Sequence, residues 1–145
     1  MKYGPVAIAR CSSYQNSVVD GAVLRCLELL GGIDRYIKPG MKVLLKCNLL
    51  SRRRPDEGVT VHPTVVEALV KAIQSVGAEP IIADSPGGLY TERVLKGIYR
   101  VCGMEEVHER TGAVLNYDTG AIEVSYPNGK MAKKMTVIKV LKDVD

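Results

Sequence analysis

The residues best suited to chemistry stand in three short stretches. Ile81-Ile82-Ala83-Asp84-Ser85-Pro86-Gly87-Gly88 is an apolar run that ends abruptly in an acid, a hydroxyl, a proline and paired glycines. That pattern reads as a buried strand breaking into a tight loop. In open α/β sheets, ligands bind in the crevice outside the carboxyl ends of the strands. Lys46 and Asn48 close a second apolar run, and His62 stands directly before Pro63. A lysine can neutralise an anion, an amide or hydroxyl can hydrogen-bond it, and glycines let backbone N–H groups approach it. His62 and Asp84 are the candidates for moving a proton, and an imidazole base needs a partner such as Asp84 within hydrogen-bond reach.

Each of these residues also has a plainer use. Asp84 and Ser85 can cap the loop while Gly87 and Gly88 supply positive φ. His62 can cap the helix that Pro63 opens, and Lys46 can snorkel to water. Cys47, beside Lys46 and a basic loop, is either a stabilised thiolate or a buried, inert thiol, and the inert thiol is the commoner outcome. Arg52-Arg53-Arg54 is an anion-binding run or simply a solvated loop. His108 falls in a surface helix and reads as structural. Ser85, His62 and Asp84 can be written as a triad, but Ser85 lacks the G-x-S-x-G elbow, which argues against a hydrolase. No G-x-G-x-x-G follows the first strand and no P-loop lysine motif is present, which argues against NAD and P-loop nucleotides.

The elements that position these residues follow from periodicity. Val6 to Arg10 is β-compatible. Val19, Ala22, Val23, Cys26, Leu27 and Leu30 recur at helical spacing behind an Asn16 or Ser17 cap, and Gly31-Gly32 ends that helix. Lys42 to Lys46 is a buried parallel strand. Pro63 opens a second helix, with Thr64 and Glu67 at capping-box spacing and Gly77 closing it. Ile81 to Ala83 is the next strand. Thr91 caps a third helix running through Cys102, Glu105 to Arg110 is a short helical piece, and Ala113 to Leu115 is a fourth strand. Ile122 to Tyr126 and Met135 to Val140 flank the hairpin signal Asn128-Gly129. The expected fold is therefore an open, mostly parallel α/β sheet, βαβαβαβ and Rossmann-like, with a C-terminal β-hairpin added at an edge. Residues 1–145 read as one domain, the N-terminal part of a longer protein.

Composition narrows the classes. With seven Tyr, no Phe and no Trp, the core must be aliphatic, and stacking platforms for single-stranded nucleic acid would have to come from Tyr alone. A net charge of +4 suits a small anion but falls short of the dense basic stripe of a nucleic-acid binder. Cys11, Cys26, Cys47 and Cys102 contain no C-x-x-C pair, so no zinc knuckle or cluster motif is present and no metal site is expected in this chain. The N-terminus lacks a signal-peptide run and no segment approaches a membrane span, so a cytoplasmic protein with reduced thiols is expected.

Lys46-Cys47-Asn48-Leu49-Leu50, Val59-Thr60-Val61-His62-Pro63, Gly77-Ala78-Glu79 and Ala83-Asp84-Ser85-Pro86-Gly87-Gly88 together resemble the uncharacterised DUF family numbered 362. The family pattern is lysine-proline-asparagine, threonine-histidine-proline, then aspartate-serine-proline-glycine, and the resemblance runs from about Val6 through the hairpin. It departs at Cys47, where the family has proline, and at Val61, which separates Thr60 from His62. Members are often linked to ferredoxin-like domains. The resemblance therefore implies 4Fe-4S clusters in a downstream domain and none in this chain, and it carries no settled activity.

The resulting expectation is a small-anion-binding α/β domain of an iron–sulfur-associated protein. Lys46, Asn48, His62, Asp84, Ser85, Gly87 and Gly88 would form the ligand site, for a phosphate or carboxylate. The alternative is a non-catalytic docking domain that holds a ferredoxin-like partner.

Overall fold

The computed structural model describes residues 4–145. Helix α1 spans Asn16–Leu29, strand β1 Lys42–Lys46, helix α2 Pro63–Ser75, strand β2 Glu79–Ala83, helix α3 Glu92–Val101, helix α4 Met104–Thr111 and strand β3 Val114–Leu115. Strands β4 (Ala121–Ser125) and β5 (Lys134–Ile138) follow. The fold is mixed α/β, with a three-stranded parallel sheet in the order β1-β2-β3 and a separate antiparallel pair β4-β5.

The helix boundaries are met to within a residue, but the Thr64–Glu67 capping box does not form, because Glu67 is taken by Asn16, Lys71 and Arg110. His62 is the N-cap of α2, its side chain accepting the Thr64 N–H, and Pro63 takes the first turn, where its missing donor costs nothing. Thr91 caps α3 by accepting the Val94 N–H. For α1 the N-cap is Gln15, without a side-chain cap bond; Asn16 instead reaches across to Glu67 at 3.0 Å. Gly31 and Gly32 follow α1 at φ +99° and +89°, a conformation that an L side chain rarely adopts.

Four strand expectations are corrected. Val6 to Arg10 is not a strand: its backbone makes no ladder, and Val6 and Ile8 are each 85% exposed. β-propensity expresses how well a residue fits a half-buried pleated surface, and without a neighbouring strand it builds nothing. The hairpin does not extend the parallel sheet but forms a sheet of its own. Nor is Asn128-Gly129 a two-residue hairpin turn. The Gly129 N–H closes a turn onto the Tyr126 carbonyl at 2.9 Å, inside a longer connection across residues 126–133. The return strand stops at Ile138, and Lys139–Lys142 is a 3-10 turn.

The core is aliphatic, with Leu49, Ile82, Leu95, Ile98, Met104 and Val107 among its buried members. Tyr99 is the aromatic exception. It is fully buried, donates its O–H to the Asn116 carbonyl at 2.9 Å and meets Tyr117 edge-on. Among the described residues no helix is long and apolar enough to cross a membrane.

Candidate functional site

The parallel register pairs Lys46, the last residue of β1, with Ala83, the last of β2. Both strands thus end at one rim, and Asp84 is the first residue beyond it. Asp84 is 3% exposed. One carboxylate oxygen accepts the Leu49 N–H at 2.6 Å, and the other lies 3.2 Å from the Lys46 ammonium. The same ammonium donates to the Asn48 side-chain carbonyl. The buried acid therefore does two things: it staples the β1 exit loop to the sheet and it orients Lys46.

That loop is strained. Asn48 and Leu50 adopt left-handed backbone conformations, at φ +47° and +52°, on either side of the fully buried Leu49. Asparagine tolerates this region, whereas a leucine there costs about 1–2 kcal/mol. Leu50 is also 58% exposed, so little packing offsets the cost. Leu50→Asn is accordingly expected to raise stability by roughly 1 kcal/mol, measured as a higher urea midpoint at unchanged slope. A lower midpoint would show that Leu50 is held by packing.

Lys46, Asn48, Asp84, Ser85 and Gly87 line one cavity of about 310 Å³, together with Leu50, Val59 and Pro86. Five of the seven expected site residues are thus brought together. Gly88 adjoins this wall at φ +90°; Gly87 has no positive φ, and a Cβ at either glycine would meet nothing within 4 Å. His62 is not part of this wall. Its Nδ1 accepts the Thr64 N–H at 3.3 Å, and its ring stacks on Tyr14 with centroids 3.8 Å apart. Burial lowers its pKa below the ordinary value, which favours the neutral form needed to accept that bond. Among the described residues no hydrogen bond joins His62 to Asp84 or Ser85, so the triad is not assembled.

The rim offers donors. Among the described residues, the N–H groups of Ser85, Gly87 and Gly88 donate to no backbone carbonyl. An ammonium has three N–H bonds; on Lys46 one goes to Asn48 while Asp84 pairs with the charge, and the side chain stays 59% exposed. The arginine run is largely engaged in its own neighbourhood. Arg53 pairs with Glu57 at 3.1 Å and Arg54 with Asp56 at 3.2 Å. The Arg52 guanidinium lies over α3, where a Cβ on Gly97 would come within 2.5 Å of it.

Cys47 is 5% exposed. Burial pushes its thiol up to about 12, assisted by Asp84 and opposed by Lys46, so it is inert at neutral pH. Burial also raises Cys102. Iodoacetamide at pH 8 is expected to label the exposed Cys11 quickly and to reach Cys47 and Cys102 only when urea unfolds the chain, as read by mass spectrometry. Native-state labelling of Cys47 at the Cys11 rate would overturn this account of the thiol.

A second buried acid was missed from the sequence, where Glu67 stood only as a capping-box partner. Glu67 is 3% exposed. It takes two bonds from Arg110 on α4 (2.7 and 2.9 Å), one from Asn16 on α1, and an ion pair with Lys71 at 2.9 Å. The visible signal was the i,i+4 spacing of Glu67 and Lys71; Arg110 lies too far along the chain to be paired with it by pattern.

The family described as "Domain of unknown function (DUF362)" matches residues 43–145, more than half of the chain. The protein named Thylakoid-associated protein sll1697, of Synechocystis sp. (strain ATCC 27184 / PCC 6803 / Kazusa), is 38% identical over 81 residues. That match covers 56% of this chain and 25% of the relative, so it spans about a quarter of the relative's length. No solved structure matches.

Proposed function

We propose, for a chain that belongs to the DUF362 family, that its sheet rim binds a small anion, a phosphate or a carboxylate. One observation carries the reading: the exposed Lys46 ammonium lines the same cavity as Ser85 and Gly87, whose N–H groups have no backbone acceptor among the described residues. Backbone donors at a strand's carboxyl end suit an anion because they are already oriented and need no reorganisation. Asn48 and the Ser85 hydroxyl add side-chain hydrogen bonds. Asp84 acts through Lys46 and the loop as a positioning residue, and His62 serves α2 as its cap.

Redox chemistry is assigned to a ferredoxin-like domain carrying the 4Fe-4S clusters. The cysteines here do not fit a cluster: Cys11 is exposed, Cys47 and Cys102 are buried, and among the described residues no three His, Cys, Asp or Glu side chains are grouped to hold a metal. The sheet and its rim are read as the core of a Rossmann-like layout. Free thiols suit a reducing compartment such as the cytoplasm, and the cyanobacterial relative is named as thylakoid-associated.

The second reading is docking of the ferredoxin-like partner on the hairpin. Met131 is 98% exposed there, with Tyr126 and Met135 exposed nearby, and exposed apolar groups gathered in one place mark interaction surfaces.

Calorimetric titration with inorganic phosphate and with acetate separates the two. The first reading predicts saturable binding that Gly87→Val weakens by roughly tenfold, through loss of cavity space and of a backbone donor's reach. The open space at Gly87 means the fold tolerates the change. Equal affinity in the variant, or no binding in the parent, would favour docking.

A further inference from the structure

The rim cavity does not stand alone. A second cavity of about 290 Å³ shares Lys46, Asn48 and Val59 with it, and its other walls are Leu45, Cys47, Val61, Val66 and Leu69. A third, of about 240 Å³, shares Leu69 with the second and is walled by Val19, Val23 and Leu27 of α1 and Val65 of α2. The first two adjoin through three common walls, and the lining becomes more aliphatic from the rim cavity to the second; the third meets the second only at Leu69. Lys46 stands where the polar space meets the first aliphatic one. At the mouth, Leu50 and Val59 are 58% and 43% exposed. Water gains nothing from such walls, and a hydrocarbon lying against them is stabilised in proportion to the area it covers. A phosphate alone would leave all of this surface wet.

We propose that the ligand is an amphiphilic anion, with its charged head on Lys46 and the Ser85–Gly88 loop and an apolar body along the trough walled by Leu45, Val61 and Leu69. This rests on the anion-binding reading and adds the second half of the ligand. The head supplies the charge that Lys46 can share. The body explains why aliphatic side chains, not further polar groups, continue the site. The strained Leu50 contributes an exposed side chain to the mouth, so Leu50→Asn trades ligand contact for stability.

The test is a calorimetric series on the full chain with acetate, hexanoate and decanoate, and with decanol as the uncharged control. Affinity is expected to rise roughly three- to fourfold per methylene until the trough is filled, and decanoate to exceed decanol. Leu69→Gln should flatten the length dependence while leaving acetate binding in place. Should that variant fail to fold, Val61→Thr keeps the shape and exchanges one methyl for a hydroxyl. Acetate and decanoate binding equally would overturn the amphiphile while leaving the anion reading standing. No carboxylate binding, or decanol matching decanoate, would remove both. A concentration-dependent dimer that decanoate fails to dissociate would assign the trough to a second copy of the chain and overturn the proposal. Vesicles containing phosphatidylglycerol, run beside monomeric decanoate, distinguish a lipid source from a free one; a response to either carries the shared chemistry.

Discussion

Replacing Asp84 with alanine is expected to lower the unfolding free energy by about 2 kcal/mol, roughly 4–8 °C in melting temperature for a chain of this size. The cost comes chiefly from the Leu49 N–H. It donates to Asp84 at 2.6 Å in a buried site, and alanine leaves it without an acceptor. Lys46 adds less, because its side chain is 59% exposed and returns to water when its partner is removed. Asp84→Asn should recover most of the stability, since an amide oxygen can still accept the Leu49 N–H, yet it should lose the orientation of Lys46. The pair of variants thus separates the two jobs of one carboxylate. Urea unfolding reads the first and phosphate titration the second. If the alanine variant is as stable as its parent, the β1 exit loop is not held by Asp84.

Glu67→Ala is expected to cost about 2–3 kcal/mol by the same measurement, and Glu67→Gln somewhat less. The carboxylate joins three helices: Asn16 opens α1, Lys71 lies one turn along α2, and Arg110 ends α4. Arg110 and Lys71 remain about half exposed, so removing the acid does not strand a buried cation. This keeps the cost below that of a fully buried broken pair. The pH dependence has a definite sign. Burial pushes the Glu67 carboxyl up, but hydrogen bonds and charge from Lys71 and Arg110 outweigh it and hold the pKa below the ordinary 4.5. The folded state therefore binds this proton less tightly than the unfolded chain. The stabilisation is complete above the ordinary glutamate value and is lost as pH falls through the lower folded value. The stability difference between parent and Glu67→Gln should accordingly shrink below pH 4.5; a difference constant from pH 7 to pH 3 would contradict the hub.

The legible parts of this fold were those set by local rules. His62-Pro63 and Thr91 marked two helix starts through cap chemistry. The apolar runs Lys42 to Lys46 and Ile81 to Ala83 marked adjacent parallel strands, and the rim cavity followed from where those strands end. What sequence withheld was set by partners distant along the chain. Val6 to Arg10 has the composition of a strand but pairs with no strand among the described residues. Asn128-Gly129 has the composition of a two-residue turn, but the register of β4 on β5 places it within a longer loop. Glu67 looked like a cap because Arg110, 43 residues away, carries no pattern that points back to it. His62 was legible as a helix cap from the proline that follows it, whereas its stack on Tyr14, 48 positions away, was not.

The central claim is that the rim formed by Lys46 and the Ser85–Gly88 loop receives an anion. The most direct measurement is a two-dimensional amide NMR titration with inorganic phosphate, repeated on Lys46→Met. The predicted result is saturable shifts at the Ser85, Gly87 and Gly88 amides that vanish or weaken strongly in the variant. Shifts confined to the opposite end of the sheet, around Lys38 to Gly40, or shifts at Ser85–Gly88 that are unchanged in Lys46→Met, would contradict it.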